Sequence, residues 1–183
     1  ETAPVEAPKC TLMAAVALTK AFHKMGLTDA GIKWPNDILV NGRKLVGILT
    51  EMSGSMEEIS HIVMGIGVNV KTKQEELPEE LKLIATSLAM EDIDIERTEA
   101  FRLILEELEH QYYEVLDSGF DETLNEWRQL SVTLGEEIEV RAPGNTYEGA
   151  ATDIDEDGNL LVRIPDGTIK RIVAGDVSIR PRK

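Results

Sequence analysis

The chain has 183 residues, 42% apolar and 29% charged, which fits one folded domain of ordinary size or a medium domain with a small one. Acidic residues outnumber basic ones 34 to 19, a net charge of −15 that argues against non-specific binding to nucleic acid or an anionic membrane. The single Cys10 excludes an intramolecular disulfide and a cysteine-rich metal site and suits a reducing cytoplasm, and no apolar run reaches the roughly 18 residues of a membrane span.

The opening ETAPVEAPK has no initiator Met, no secretory-signal pattern and two prolines in nine residues, and it reads as the middle of a longer chain. From Cys10 to Met25, Leu12, Val16, Leu18, Phe22 and Met25 recur among alanines, which predicts a mostly buried helix closed by Gly26. Residues 32–34 predict a short strand, broken by Pro35 and by the turn-forming Asn36-Asp37. Ile38-Leu39-Val40 and Leu45–Met52 predict two strands joined by Asn41-Gly42, the strongest short hairpin signal. A further buried strand, HIVMGIGVNV, covers 61–70. Its glycines at 65 and 67 mark either slack at a sheet end or a ligand close to the backbone.

Residues 72–82 form an acidic connection with one helical turn. A long amphipathic helix follows at 98–118, with Phe101, Ile104, Leu105, Leu108, Tyr112, Val115 and Leu116 as its core stripe, Thr98 as N-cap and Gly119 as its end. A shorter helix at 121–130 carries Leu124, Trp127 and Leu130. After Leu134-Gly135 the hydrophobic period falls from 3.6 to 2. Five short segments separated by APGN, EDGN, PDG and AGD turns then predict a small barrel of SH3 type, packed on the preceding domain with the boundary near 131–135.

Several familiar chemistries are missing. DIDEDG at 153–158 matches half a calcium loop, with Asp153, Asp155, Asp157 and Gly158 in place, but the twelfth position is Ile164 and strands flank it, so it reads as a hairpin turn. His23, His61 and His110 have no metal-ligand spacing. Ser53 and Ser55 do not sit in a nucleophile elbow, and neither a dinucleotide fingerprint nor a phosphate loop is present.

What stands out is GIKWPNDILVNGRKLVGILTE at 31–51, where Lys33, Arg43 and Lys44 against Asp37 give a local charge of +2 over residues 31–47 of an acidic chain. Trp34 and Pro35 are bulky and rigid for a loop that only solubilises. Asn36-Asp37 offers an amide and a carboxylate from a fixed turn, a way to hold a cation beside a phosphate. Lys44 heads a buried strand, where a site needs a fixed charge, and Gly47 lets a ligand approach the main chain.

With HIVMGIGVNV, these residues resemble the core of the biotin protein ligases, the biotin–[acetyl-CoA-carboxylase] ligases, and the likeness extends over nearly the whole chain. The joint spacing of KWPND, GRKLVGIL and GIGVN carries it. The resemblance implies an α+β fold, with a mixed sheet and packed helices over residues 1–132 and an SH3-like β-barrel over 133–183. It implies ATP-dependent joining of biotin through biotinyl-5′-AMP to a lysine of a biotin carboxyl carrier domain, with release of pyrophosphate and then AMP. Lys44 then contacts biotin and the reacting centre, and Asp37 serves adenylation through Mg²⁺ on the nucleotide. Lys33 and Asn36 sit by the phosphates, Gly47 and Ile48 line the biotin strand, and Asn69 contacts the nucleotide. The family often pairs through its catalytic sheet, so the resemblance makes a homodimer possible, without contact to nucleic acid or membrane from this segment.

The sequence departs from the family pattern in having no Gly/Arg-rich loop over biotin and adenylate and no upstream Ser-Thr-Asn segment. It reads as the second half of a catalytic domain plus the C-terminal domain. The alternatives are a shortened, non-catalytic relative that binds the carrier or regulates, and a lipoate-type ligase or transferase. KWPND and the terminal domain argue against the lipoate reading.

Overall fold

A computed structural model describes residues 7–54 and 59–179; the opening residues 1–6 and Ser55 lie outside that range. Helix α1 (Ala7–Lys24) is buried nearly all round, because its alanines let it lie close on the sheet while Leu12, Val16, Leu18 and Phe22 fill the core. It ends as expected. Gly26 takes φ +95°, and the amides of Leu27 and Gly26 donate to the carbonyls of Phe22 and His23.

Four strands follow: β1 (Ala30–Lys33), β2 (Asp37–Val40), β3 (Arg43–Gly54) and β4 (Ile59–Val68). They form one antiparallel sheet in that order. Parallel pairing among the described residues is confined to two single bridges, Ile32 with Ser131 and Lys44 with Ala85. The Asn41-Gly42 turn has both residues at positive φ, as a two-residue hairpin requires. The first strand lies two residues earlier than predicted at its start and stops before Trp34, whose peptide bond to Pro35 is cis. The fourth ends at Val68, and Asn69 leaves the ladder with its amide on the Leu45 carbonyl. The acidic connection holds two 3-10 turns, Gln74–Glu76 and Glu79–Leu81, and a third lies at Ala89–Glu91.

Helix α2 (Arg97–Ser118) corrects the predicted core stripe. Its buried face is Ala100, Ile104, Glu107 and Gln111, whereas Phe101 and Leu116 are each 63% exposed and Leu105 and Tyr112 also face outward. Ile104 of the predicted stripe is buried and Leu108 packs against the core, while the rest of the buried side is polar because α1 presents lysines to it. Lys24 pairs with Glu107, and Lys20 donates to Gln111 and to Glu126 of α3 (Asp121–Leu130). Glu96, not Thr98, is the N-cap, and it makes no side-chain capping bond. In α3, Leu124 and Trp127 are buried as predicted.

The five C-terminal segments become β5 (Glu137–Ala142), β6 (Asn145–Ile154), β7 (Leu160–Arg163), β8 (Ile169–Ile172) and β9 (Asp176–Ile179). Their antiparallel order is β8-β7-β6-β5-β9, over a core that includes Ile138, Val140, Leu160 and Val162. This sheet docks on the first part of the chain through named bonds. The Trp34 amide donates to Thr133 Oγ1 at 2.9 Å, and Trp34 Nε1 to the Gly158 carbonyl at 3.0 Å. Arg128 donates to Asp153 Oδ1 at 2.7 Å and to the Ile154 carbonyl. Gly158 has φ +81° and lies so near Leu12 that a Cβ would stand 2.6 Å from Leu12 Cδ1. The DIDEDG segment is the turn between β6 and β7, with Asp155 accepting from the amides of Asp157 and Asn159. No helix among the described residues is long and apolar enough to cross a membrane.

Candidate active site

The sheet register builds the site. Lys33 pairs with Asp37, Asp37 with Gly47 and Gly47 with Gly67, so these residues form one row across all four strands on the same face. In a regular strand Lys44 would point away from Gly47, three residues on. It does not, because the register shifts between Ile38, opposite Val46, and Leu39, opposite Lys44. Leu45 is the extra residue of this bulge. Leu45 and Val46 are consequently both buried in the core, and Lys44 is turned onto the face of Asp37 and Gly47.

Asp37 is buried between two ammonium groups. Lys44 Nζ is 2.6 Å from Oδ1, although poorly aligned for a hydrogen bond, and Lys33 Nζ is 3.6 Å from Oδ2. Lys33 also reaches within 3.9 Å of Asp176 on β9, which brings the C-terminal sheet to the site. A cleft of about 540 Å³ lies here, walled by Lys33, Asp37 and Lys44 on one side and by Val177, Ser178 and Ile179 on the other. Gly47 leaves room for Lys44, since a Cβ there would make tight contacts, 3.1 Å from Lys44 Cε and 3.2 Å from Nζ.

Next to the charged end lies a bare shelf. Gly47, Gly65 and Gly67 share the face, and Cβ atoms added at Gly65 or Gly67 would make only ordinary contacts, 3.8 Å or longer. Leu49, paired with Gly65, is 62% exposed among them. The site thus offers an uncharged surface running into a pair of ammonium groups held by a buried carboxylate. Such an arrangement is suited to a molecule that is apolar at one end and anionic at the other.

Not every predicted residue converges. Arg43 points to the opposite face and pairs with Glu91 at 2.7 Å, so two of the three cations form the site. Ile48 is 2% exposed and its side chain belongs to the core on the far face. Asn36 Nδ2 donates to the Ile48 carbonyl, while the Ile48 amide donates to the Asn36 carbonyl, an exchange that ties the Trp34–Asp37 turn to β3. Asn69 Nδ2 donates to the Thr86 carbonyl at 3.0 Å and so holds the segment after Ile84 against the sheet. Leu49, Asp176 and Ser178 were not singled out from the sequence. Alternation along β3 could have suggested Leu49, but nothing local signals the two β9 residues.

Among the described residues no group of three or more His, Cys, Asp or Glu is placed to hold a metal ion. Asp37, already facing two ammonium groups, could supply one ligand to a cation.

Two family models match the chain: "Biotin/lipoate A/B protein ligase family" over residues 4–69 and "Biotin protein ligase C terminal domain" over 133–180. The bifunctional ligase/repressor BirA of Bacillus subtilis strain 168 is 36% identical over 173 residues, 94% of this chain and 53% of that protein. The biotin–[acetyl-CoA-carboxylase] ligase of Paracoccus denitrificans is 33% identical over 168 residues, 88% of this chain and 69% of that protein. The apo structure of the Aquifex aeolicus biotin protein ligase matches with a TM-score of 0.83 at 26% identity, covering 97% of this chain and 76% of that one. The same protein in complex with biotin and ATP matches with a TM-score of 0.80 at 27% identity, covering 96% and 72%. The chain spans about half the length of the BirA proteins it matches. With a shared fold, both family models and a relative matched over more than two thirds of its length, the chain belongs to the biotin protein ligase family.

Proposed function

We propose that this chain carries the adenylation centre of an ATP-dependent biotin ligase. The observation that supports this most is the row Lys33–Asp37–Gly47–Gly67 with Lys44 on the same face. Biotin has an apolar ring system ending in a carboxylate, and ATP supplies the anion that the carboxylate must approach. Biotin lies on the glycine shelf along Gly47 and the Ile48 backbone, and its carboxylate meets Lys44. Lys33 and Asn36 stand on the phosphate side, with Asn69 near the nucleotide. Asp37 is the carboxylate that would hold Mg²⁺ carried by the triphosphate, and the ion would supply charge neutralisation.

In the first step a biotin carboxylate oxygen attacks the α-phosphorus. The bond to the bridging oxygen breaks and pyrophosphate leaves, giving biotinyl-5′-AMP. Both reactants are anions, so the two ammonium groups are worth most where charge accumulates between them. In the second step a carrier-domain lysine amine attacks the acyl carbon. An amide forms, AMP leaves and the amine gives up a proton. The acceptor is a biotin carboxyl carrier domain and the setting is cytoplasmic, with two copies paired through the catalytic sheet. The chain divides into a catalytic part, 1–132, and an SH3-like part, 133–183.

The test is mass-spectrometric detection of biotinyl-5′-AMP after incubating the chain with biotin, ATP and Mg²⁺. The intermediate is expected from the wild type, and Lys44→Ala should reduce it by roughly 100-fold or more. A folded wild type that forms none, or a Lys44→Ala variant that forms as much as wild type, would overturn the reading.

A further inference from the structure

We propose that Glu91 is a positioning residue for Lys44: through Arg43 and Thr86 it locks the bulged register that turns Lys44 onto the site face. The part of this that concerns catalysis rests on the function proposed above; the part that concerns Lys44 itself does not.

The ladder between β3 and β4 runs out at Val46 opposite Val68, so Lys44 lies beyond the reach of β4. Its open side is taken instead by a single parallel bridge. The Lys44 amide donates to the Ile84 carbonyl at 2.8 Å, and the Thr86 amide donates to the Lys44 carbonyl at 2.9 Å. A lone bridge of two hydrogen bonds is a weak hold for an irregular strand end. Glu91 reinforces it from both directions. Its side chain is only 10% exposed, and Oε1 accepts from Arg43 Nη2 at 2.7 Å and from Thr86 Oγ1. One carboxylate therefore ties the residue before Lys44 to the residue after its bridge partner Ala85.

Glu91 is itself fixed by the 3-10 turn Ala89–Glu91, with its amide directed to the carbonyls of Ser87 and Leu88. Thr86 is held on its other side by Asn69. The Lys44 side chain, 47% exposed and contacting Asp37, has little packing of its own to aim it. Its direction comes from its backbone. If the bulge relaxes to regular pairing, Lys44 moves to the opposite face, because a one-residue slip reverses every side chain. Arg43 thus faces away from the groove for a reason: its charge is spent on holding the residue beside it.

The experiment compares wild type, Glu91→Ala, Glu91→Gln, Lys44→Ala and the Glu91→Ala/Lys44→Ala double variant in the full chain. Rates of biotinyl-5′-AMP formation are normalised to the folded fraction. Glu91→Ala should slow the step about tenfold and raise the biotin KM, since the misplaced Lys44 no longer meets the biotin carboxylate. Glu91→Gln, which keeps an acceptor oxygen for Arg43 and Thr86, should recover most of that loss. The double variant should be no slower than Lys44→Ala alone, because a residue that acts through Lys44 has nothing to position once Lys44 is gone. Additive losses, or a Glu91→Ala variant at wild-type rate, would overturn the proposal.

A second readout does not depend on the reaction. Competitive acetylation with acetic anhydride, read lysine by lysine, should show Lys44 labelled severalfold faster in Glu91→Ala as it leaves Asp37, with Lys73 unchanged. If the wild type makes no adenylate, the proposed function fails, and this labelling pattern alone decides whether Glu91 positions Lys44. Unchanged Lys44 labelling would then overturn the inference.

Discussion

Lys44 and Gly47, three residues apart on one strand, lie on the same face of the sheet, and Lys44 Nζ would be 3.2 Å from a Cβ at position 47. The bulge at Leu45 creates that proximity, and the missing side chain at Gly47 makes it tolerable. The site's charge and its glycine shelf therefore depend on one local irregularity.

Gly47→Ala should separate stability from function. The clash falls on the flexible, half-exposed end of Lys44, which can swing into solvent, so the change in stability should stay within about 1 kcal/mol by urea unfolding. The ammonium, however, must shift by a few tenths of an ångström from its place beside Asp37. Adenylate formation should fall while the unfolding midpoint scarcely moves. Equal loss of both would show that Gly47 matters to the strand rather than to the site.

Trp34→Phe tests the docking of the C-terminal sheet. The substitution removes one of two fused rings from a buried site, and the Gly158 carbonyl loses its donor. A loss of about 2–4 kcal/mol in unfolding free energy is expected. Since this contact helps hold β9 opposite Lys33 and Asp37, limited proteolysis should also cut more readily near residues 131–135. An unchanged digest would place the docking energy elsewhere, for instance on Arg128 and Asp153.

The turn at Asp155 carries a pH dependence whose sign is determined. Partial burial opposes ionisation of its carboxyl, but bonds from the side chain and backbone of Asn159, from Arg171 and from the Asp157 amide outweigh burial and lower its pKa. A carboxyl more acidic when folded contributes stability that is fully present above its unfolded value of about 3.9. That contribution is lost as pH falls through the lower folded value. Thermal stability should therefore fall as pH drops between those two values, and Asp155→Asn should flatten this part of the profile while lowering stability at neutral pH. An identical acid limb in the variant would remove Asp155 as its source.

On α2, the outward apolar stripe and the inward polar face can be told apart by mutation. Phe101→Glu and Leu116→Glu should change stability by no more than about 0.5 kcal/mol, since both side chains are exposed. Ile104→Ala, in the buried face, should cost about 2–4 kcal/mol. Losses at Phe101 and Leu116 as large as that at Ile104 would restore the full stripe predicted from periodicity.

Much of this molecule is written locally in its sequence. Gly26 and Gly119 end helices, Asn41-Gly42 makes the hairpin, and the change of period after Leu134 separates the helices from the second sheet, because backbone sterics and side-chain spacing act over a few residues. KWPND, GRKLVGIL and GIGVN likewise point to the family before any coordinate is seen. Orientation is another matter. Periodicity finds the apolar stripe of α2 but cannot tell that Lys20 and Lys24, more than eighty residues earlier, draw its polar face inward. Strict alternation would set Lys44 against Gly47, and the bulge, held by the remote bridge to Ala85, brings them together. Adjacent charges at 43 and 44 look alike in sequence, yet one meets Glu91 and the other Asp37. The sequence by itself determined the elements and the chemistry available to them. Only the tertiary structure decided which faces meet, because that choice is made by contacts between residues far apart along the chain.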